Sequence, residues 1–197
     1  MTHKIGLTGS IGMGTSTTAQ LFAAEGIPVW DADQAVHDLY APGGTAASAL
    51  QTEFPNAIVD QAVSRDELKL ILVEDPKALT RIEAIVHPLV ADHRANFLGA
   101  TSADIVVLDI PLLFETGAHT EMDTVIVVTA PYETQRDRVL ARPGMTEEQF
   151  RFILSKQTPD TEKRARADFV IETVSMSIAR NQVSDIIKEI RVKLAHA

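Results

Sequence analysis

The chain has 197 residues, a formal net charge of −9 and no cysteine, with 45% hydrophobic and 23% charged residues. One domain of this length can bury roughly 70% of its unfolded surface, and the lack of cysteine excludes a disulfide framework and a thiolate metal site. No apolar run approaches ~18 residues, so no membrane span is expected. Met1-Thr2-His3-Lys4 runs straight into the first expected strand, so no signal peptide is expected and a cytoplasmic location fits.

In chain order, Ile5-Gly6-Leu7-Thr8 reads as a strand and Thr17 to Glu25 as a helix. Between them lies Gly9-Ser10-Ile11-Gly12-Met13-Gly14-Thr15-Ser16-Thr17, with the spacing of a phosphate-binding P-loop. Glycines 9, 12 and 14 permit positive φ and let backbone N–H groups wrap phosphate oxygens. The helix start aims its unpaired amides and positive dipole end at the same anion. Ser16 stands where a hydroxyl ligates magnesium. One residue departs from the pattern: Thr15 occupies the catalytic position where a lysine is expected.

Gly26 reads as a helix C-cap and Ile27-Pro28-Val29-Trp30 as a second strand, running into Asp31-Ala32-Asp33. Carboxylates past the C-terminal end of a strand are placed for chemistry in a parallel α/β sheet. Asp33 also precedes the helical stretch Gln34 to Tyr40, so one acid can cap while the other faces substrate. From Pro42 to about Ala100 the pattern is helical without strand runs, with a capping box at Ser64-Arg65-Asp66-Glu67 and Pro76 and Pro88 separating helices. This long excursion suggests a substrate-covering subdomain. His87 lies in it as a candidate contact, although a lone histidine is ordinarily a structural hydrogen-bonder.

Ile105 to Asp109 is an unbroken apolar run ending in a carboxylate, as a doubly covered strand reads, and Asp109 is placed to assist a magnesium shell. Pro111-Leu112-Leu113-Phe114-Glu115 is expected to expose apolar groups and one acid beside it. Thr124 to Thr129 is another buried strand, leading into a helix with Arg136, Arg138 and Arg142 that Pro143-Gly144 breaks. Thr146-Glu147-Glu148-Gln149 caps a further helix, Phe150 to Lys156. Residues 136–166 carry eight basic and five acidic side chains, an excess that points to an anion and to a lid over phosphates. Asp168 to Ile171 reads as a fifth strand, and Val183, Ile186, Ile187, Ile190 and Leu194 line one face of a closing helix. The alternation predicts an α/β fold, a doubly wound parallel sheet.

Several stretches together resemble the dephospho-coenzyme A kinase family: residues 6–12, Asp31-Ala32-Asp33, Val86-His87-Pro88 and Asp109 to Glu115, then Gln135 to Arg138, Leu140-Ala141-Arg142 and Ala167 to Ile171. The resemblance covers the whole chain. It implies transfer of the γ-phosphate of ATP to the ribose 3′-hydroxyl of dephospho-coenzyme A, with magnesium, on a five-stranded P-loop kinase fold. The implied parts are a core (about 1–40, 101–135 and 167–197), a helical substrate-binding insert (about 41–100) and a lid (about 136–166). Gly12, Met13, Gly14, Thr15, Ser16 and Thr17 would hold the ATP phosphates. Asp33 would orient or deprotonate the hydroxyl, and Arg142 would reach the phosphoryl group from the lid. Asp31, His87, Leu113, Phe114 and Glu115 are candidate substrate contacts, with Gln157, Lys163 and Arg164 as lid contacts.

A second reading, favoured by Thr15, is a nucleotide- or coenzyme-A-binding protein without catalysis. Another small-molecule P-loop kinase is a third. Nucleic acid is not an expected partner, given the acidic balance and aromatics of only 5%. A monomer or small homo-oligomer is expected.

Overall fold

Strands buried on both faces need no polar alternation, and the apolar runs of this chain accordingly form the centre of a sheet. A computed structural model describes residues 2–196. β1 (His3–Thr8) feeds the glycine-rich loop, and α1 (Thr15–Ala24) follows it directly. α1 ends in a Schellman arrangement: the Gly26 and Ile27 amides donate to the Ala23 and Phe22 carbonyls. Glu25 is therefore the C-cap and Gly26 lies one residue beyond, at φ 79°. The second strand, β2 (Val29–Asp31), begins two residues later than expected.

The chain divides into two units, Asp31–Thr101 and the remainder. The first of these is largely helical, with α2 (Ala32–Tyr40) and α3 (Thr45–Gln51) leading to a hairpin of β3 (Ile58–Val59) and β4 (Ala62–Val63). The hairpin corrects the expectation of a stretch without strands. Its turn residues Asp60 and Gln61 both have positive φ, 50° and 64°, the backbone signature of a type I′ turn. α4 (Arg65–Glu74) is capped by Ser64, whose hydroxyl accepts from the Glu67 amide. α5 (Ala78–Ala100) runs through Pro88 as one helix of 23 residues, where a break was expected. Proline removes the bond to the Ala84 carbonyl, but Ala84 and Pro88 both face solvent, so water can meet that oxygen. The buried face Ala78, Ile82 and Val86 packs with Leu39, Leu50, Phe54 and Leu68 in this unit's own core.

In the other unit, β5 (Ile105–Asp109) and β6 (Thr124–Thr129) are buried along their whole length. α6 (Tyr132–Leu140) ends before Arg142, which stands in the following turn and not in the helix as expected. α7 (Glu147–Lys156) carries a complete capping box between Thr146 and Gln149. α8 (Asp160–Ala165), β7 (Phe169–Glu172) and α9 (Met176–Ala195) complete the chain. On α9, Val183, Ile186, Ile187 and Ile190 enter the core, whereas Leu194, on the last turn, is exposed.

The strand order is β2-β5-β1-β6-β7, with parallel pairing of β1 to β5, β1 to β6 and β6 to β7. From β1 the chain winds first to one side and then to the other. β1 is thus the topological switch point, and the crevice beyond its C-terminal end is where such sheets take ligands. Among the described residues no helix is long and apolar enough to cross a membrane.

Candidate active site

The loop after β1 has the backbone that its glycines allow. Gly12 sits at φ 78° and Gly14 at φ 95°. Gly14 is the N-cap of α1, with no side-chain cap and no acidic residue in the first turn. The first-turn amides have no acceptor within the helix, so an uncapped positive end faces whatever the loop encloses. A Cβ on Gly12 would stand 2.5 Å from Val139 Cγ2 and 2.9 Å from the Gln135 carbonyl oxygen. Gly12→Ala therefore combines a left-handed φ with a clash against backbone. It is expected to lower stability by about 1–3 kcal/mol, read as a shifted urea midpoint at unchanged slope.

Side chains distant in sequence brace this loop. Gln135 donates to the Ile11 carbonyl at 2.8 Å, and the Ile11 amide donates to Gln157 Oε1 at 3.0 Å. The Thr173 hydroxyl donates to the Met13 carbonyl at 2.6 Å, and Arg138 grips Thr173 through its Oγ1 at 2.9 Å and its carbonyl at 2.6 Å. The Met13 side chain is buried in the core, so Met13 can offer a ligand only its backbone. A cavity of about 240 Å³ adjoins the loop, lined by Ser10, Met13, Gln135, Gln157 and Asp160 among others. Nothing in the local sequence signals Thr173. Gln135 and Arg138 lie in a recognisable stretch, but their bracing role depends on tertiary contacts.

Thr15 is partly exposed, and Ser16 and Thr17 are exposed, at the start of α1. Asp109 ends β5 and is paired in register with Leu7 of β1, one strand from the loop's origin. Among the described residues no group of three or more His, Asp or Glu side chains could cage a metal. A cation carried on phosphates needs fewer protein ligands, and the donor set of Ser16 hydroxyl and Asp109 carboxylate, both hard oxygens, suits magnesium in that form.

The basic segment is mostly spoken for internally. Glu147 pairs with Arg136 at 2.8 Å and with Arg151 at 3.0 Å, Arg164 pairs with Asp160 at 3.4 Å, and Arg166 lies over the Phe114 ring at 4.5 Å. Lys163 is fully buried, with its ammonium 3.0 Å from Glu115 Oε1. The Arg142 side chain is exposed and makes no ion pair among the described residues. The expectation of exposed apolar groups at 111–115 holds for Leu112, 44% exposed, but not for Leu113 or Phe114. Both of those are buried, because the turn after β5 folds them inward, and neither is presented to a ligand here.

In the helical unit, Asp31 is the N-cap of α2, its Oδ1 accepting from the Asp33 amide at 2.8 Å and the Gln34 amide at 3.0 Å. The capping role therefore falls to Asp31 and leaves the Asp33 carboxylate for other work. Partial burial raises the Asp33 carboxyl above its ordinary value, the neighbouring Asp31 charge adds to the rise, and Arg65 opposes it. Arg65 also lies 5.7 Å over the Tyr40 ring, and sequence reasoning had not brought it to Asp33. His87 is exposed on α5, with no hydrogen bond among the described residues, so it is not the structural hydrogen-bonder expected.

The dephospho-CoA kinase family pattern matches residues 3–178. A curated dephospho-CoA kinase of Ruegeria pomeroyi is 58% identical over 197 residues, covering both chains fully. The crystal structure of a Thermus thermophilus protein superposes with a TM-score of 0.84 at 33% identity, covering 95% of this chain and 97% of that one. A dephospho-CoA kinase of Campylobacter jejuni gives a TM-score of 0.69 at 25% identity, over 96% and 98% of the two chains.

Proposed function

The chain belongs to the dephospho-CoA kinase family, and from that premise we propose how its residues divide the transfer of the ATP γ-phosphate to the ribose 3′-hydroxyl of dephospho-coenzyme A. The observation that carries the reading is the uncapped start of α1 behind a loop with Gly12 and Gly14 in left-handed conformations. Residues 12–17 hold the phosphates through backbone amides. Asp33 accepts the proton of the hydroxyl as its oxygen attacks the γ-phosphorus. The bond to the β-phosphate oxygen breaks, and ADP departs. Arg142 stabilises the charge on the transferring group, a role that fits a guanidinium without an internal partner. Ser16 and Asp109 would hold magnesium, which when bound neutralises phosphate charge.

Asp31 and His87 stay as candidate contacts to dephospho-coenzyme A, Asp31 by backbone or by its remaining oxygen, whereas Glu115, with Oε1 on Lys163 and the Thr158 amide and Oε2 buried, is engaged within the protein and is withdrawn as a contact. Burial of Leu113 and Phe114 limits them to shaping the turn. Residues 136–166 act as the lid. The same reading carries a cytoplasmic location and a monomer or small homo-oligomer.

Thr15 gives the alternative its footing: a binder of the same ligands without turnover. Calorimetric titration with magnesium ATP and with dephospho-coenzyme A, beside a coupled assay of ADP release, separates the two. Heat for both ligands with turnover supports the kinase. Heat without turnover supports the binder, and no heat with nucleotide sinks both. Arg142→Ala is expected to lower turnover by about 10²-fold or more, with dephospho-coenzyme A affinity within about threefold. The opposite ordering would place Arg142 in the substrate site.

A further inference from the structure

Lys163 is the one Lys or Arg among the described residues whose side chain is fully buried. An ammonium withdrawn from water is tolerated only when paired and hydrogen-bonded, so its partner defines what it does. That partner is Glu115, whose Oε1 forms an ion pair with the Lys163 ammonium at 3.0 Å and accepts from the Thr158 amide at 2.7 Å, while the ammonium has no further hydrogen-bond partner among the described residues. Glu115 Oε2 is buried without a hydrogen-bond partner among the described residues. Compensation of the carboxylate therefore rests on Oε1, and the pair fixes the position of the Thr158 peptide. The residue before it is Gln157, the C-cap of α7, and Gln157 Oε1 holds the Ile11 amide of the phosphate loop at 3.0 Å. With Gln135 on the Ile11 carbonyl, both backbone groups of Ile11 are claimed by glutamine side chains. Burial by itself would raise the Glu115 carboxyl. The bonds from Thr158 and Lys163, together with the lysine's charge, outweigh it and hold the Glu115 carboxyl below its ordinary value.

We infer that Lys163 is a positioning residue for nucleotide binding, acting through Glu115 and the Gln157-Thr158 hinge to set the Ile11 peptide of the phosphate loop. The inference rests on the reading of that loop as the nucleotide cradle. The pair links three segments: the turn after β5, the junction of α7 with α8, and the loop after β1.

Lys163→Met alone would strand a buried carboxylate and endanger folding, so the test removes both charges at once. The double variant Lys163→Met/Glu115→Gln and, separately, Gln157→Leu are compared with the parent chain by calorimetry and by hydrogen exchange. The probes are magnesium ATP and dephospho-coenzyme A. Each variant is expected to bind ATP about tenfold more weakly while dephospho-coenzyme A affinity changes less than about twofold, the worth of one charge-linked bond at one ligand's loop. The Ile11 amide is expected to exchange faster while β5 and β6 keep their protection. Parental ATP affinity and Ile11 exchange in the double variant would overturn the inference. So would equal loss for both ligands with general loss of protection, the mark of a merely structural pair. If the parent chain takes no nucleotide, the reading of the loop falls, and exchange at Ile11 still decides whether Lys163 sets it.

Discussion

Thr15→Lys is expected to raise turnover by about 10²–10³-fold, with ATP affinity rising by no more than about tenfold. Phosphoryl transfer depends on positioning and on countering the charge that spreads over the transferring group. A single well-placed cation can be worth ~10³–10⁵ in rate. The backbone cradle of this chain does not depend on residue 15: Gly12 and Gly14 set its curvature, and Gln135, Gln157 and Thr173 brace it at Ile11 and Met13. Thr15 is partly exposed at the first position of α1, where lysine is at least as good a helix former, so the change adds charge without disturbing packing. Lys163 does not stand in for it, being enclosed and paired with Glu115. The measurement is single-turnover phosphate transfer in both chains. An unchanged rate would mean that another group already supplies the charge, and Arg142→Ala in the threonine chain would then collapse turnover more deeply than in the lysine chain.

What the sequence disclosed and what it hid follow a physical line. Strands β5 and β6 were legible because burial on both faces writes itself as an unbroken apolar run, and β1 from its short apolar run Ile5-Gly6-Leu7 before the glycine loop. The glycine loop was legible because its chemistry is local. The hairpin at 58–63 was not, because its turn is built from Asp60 and Gln61 in place of the Asn-Gly or Asp-Gly that advertises left-handed residues. Pro88 was misleading as a breaker, because an exposed carbonyl one turn earlier can be satisfied by water. In the site, Asp31 and Asp33 could be named as a pair, but only geometry divides capping from a free carboxylate. The basic segment read as a solvated or anion-facing surface. Within it, ion pairs and one fully buried lysine could not be read from the sequence, since which charge finds a partner is decided by residues such as Glu115 and Glu147 in other segments or turns.

Asp33→Asn is expected to reduce transfer by about 10²–10⁴-fold, the range for removing a general base, while ATP affinity stays within about threefold. Asparagine keeps the size and hydrogen-bonding reach of the side chain and removes its capacity to take a proton. The cap of α2 survives, since Asp31 accepts from the backbone amide of residue 33 and not from its side chain. The raised Asp33 carboxyl also fixes the direction of the pH response. A base works only when ionised, so the acid limb of the rate profile lies above the ordinary value of 3.8, and activity is lost as pH falls through the raised pKa. Stability moves the other way. The folded chain holds this proton more tightly than the unfolded one, so ionisation costs the fold as pH rises from 3.8 through the raised value. Asp33→Asn removes that cost: above this window the variant should unfold no more readily than the parent, and below it the two should converge. Arg65 restrains the rise, so Arg65→Leu should move the acid limb further upward while leaving Asp33 in place. A variant that unfolds earlier at neutral pH, or an Arg65→Leu profile displaced downward, would show that the Asp33 charge is held for structure and not reserved for the substrate hydroxyl.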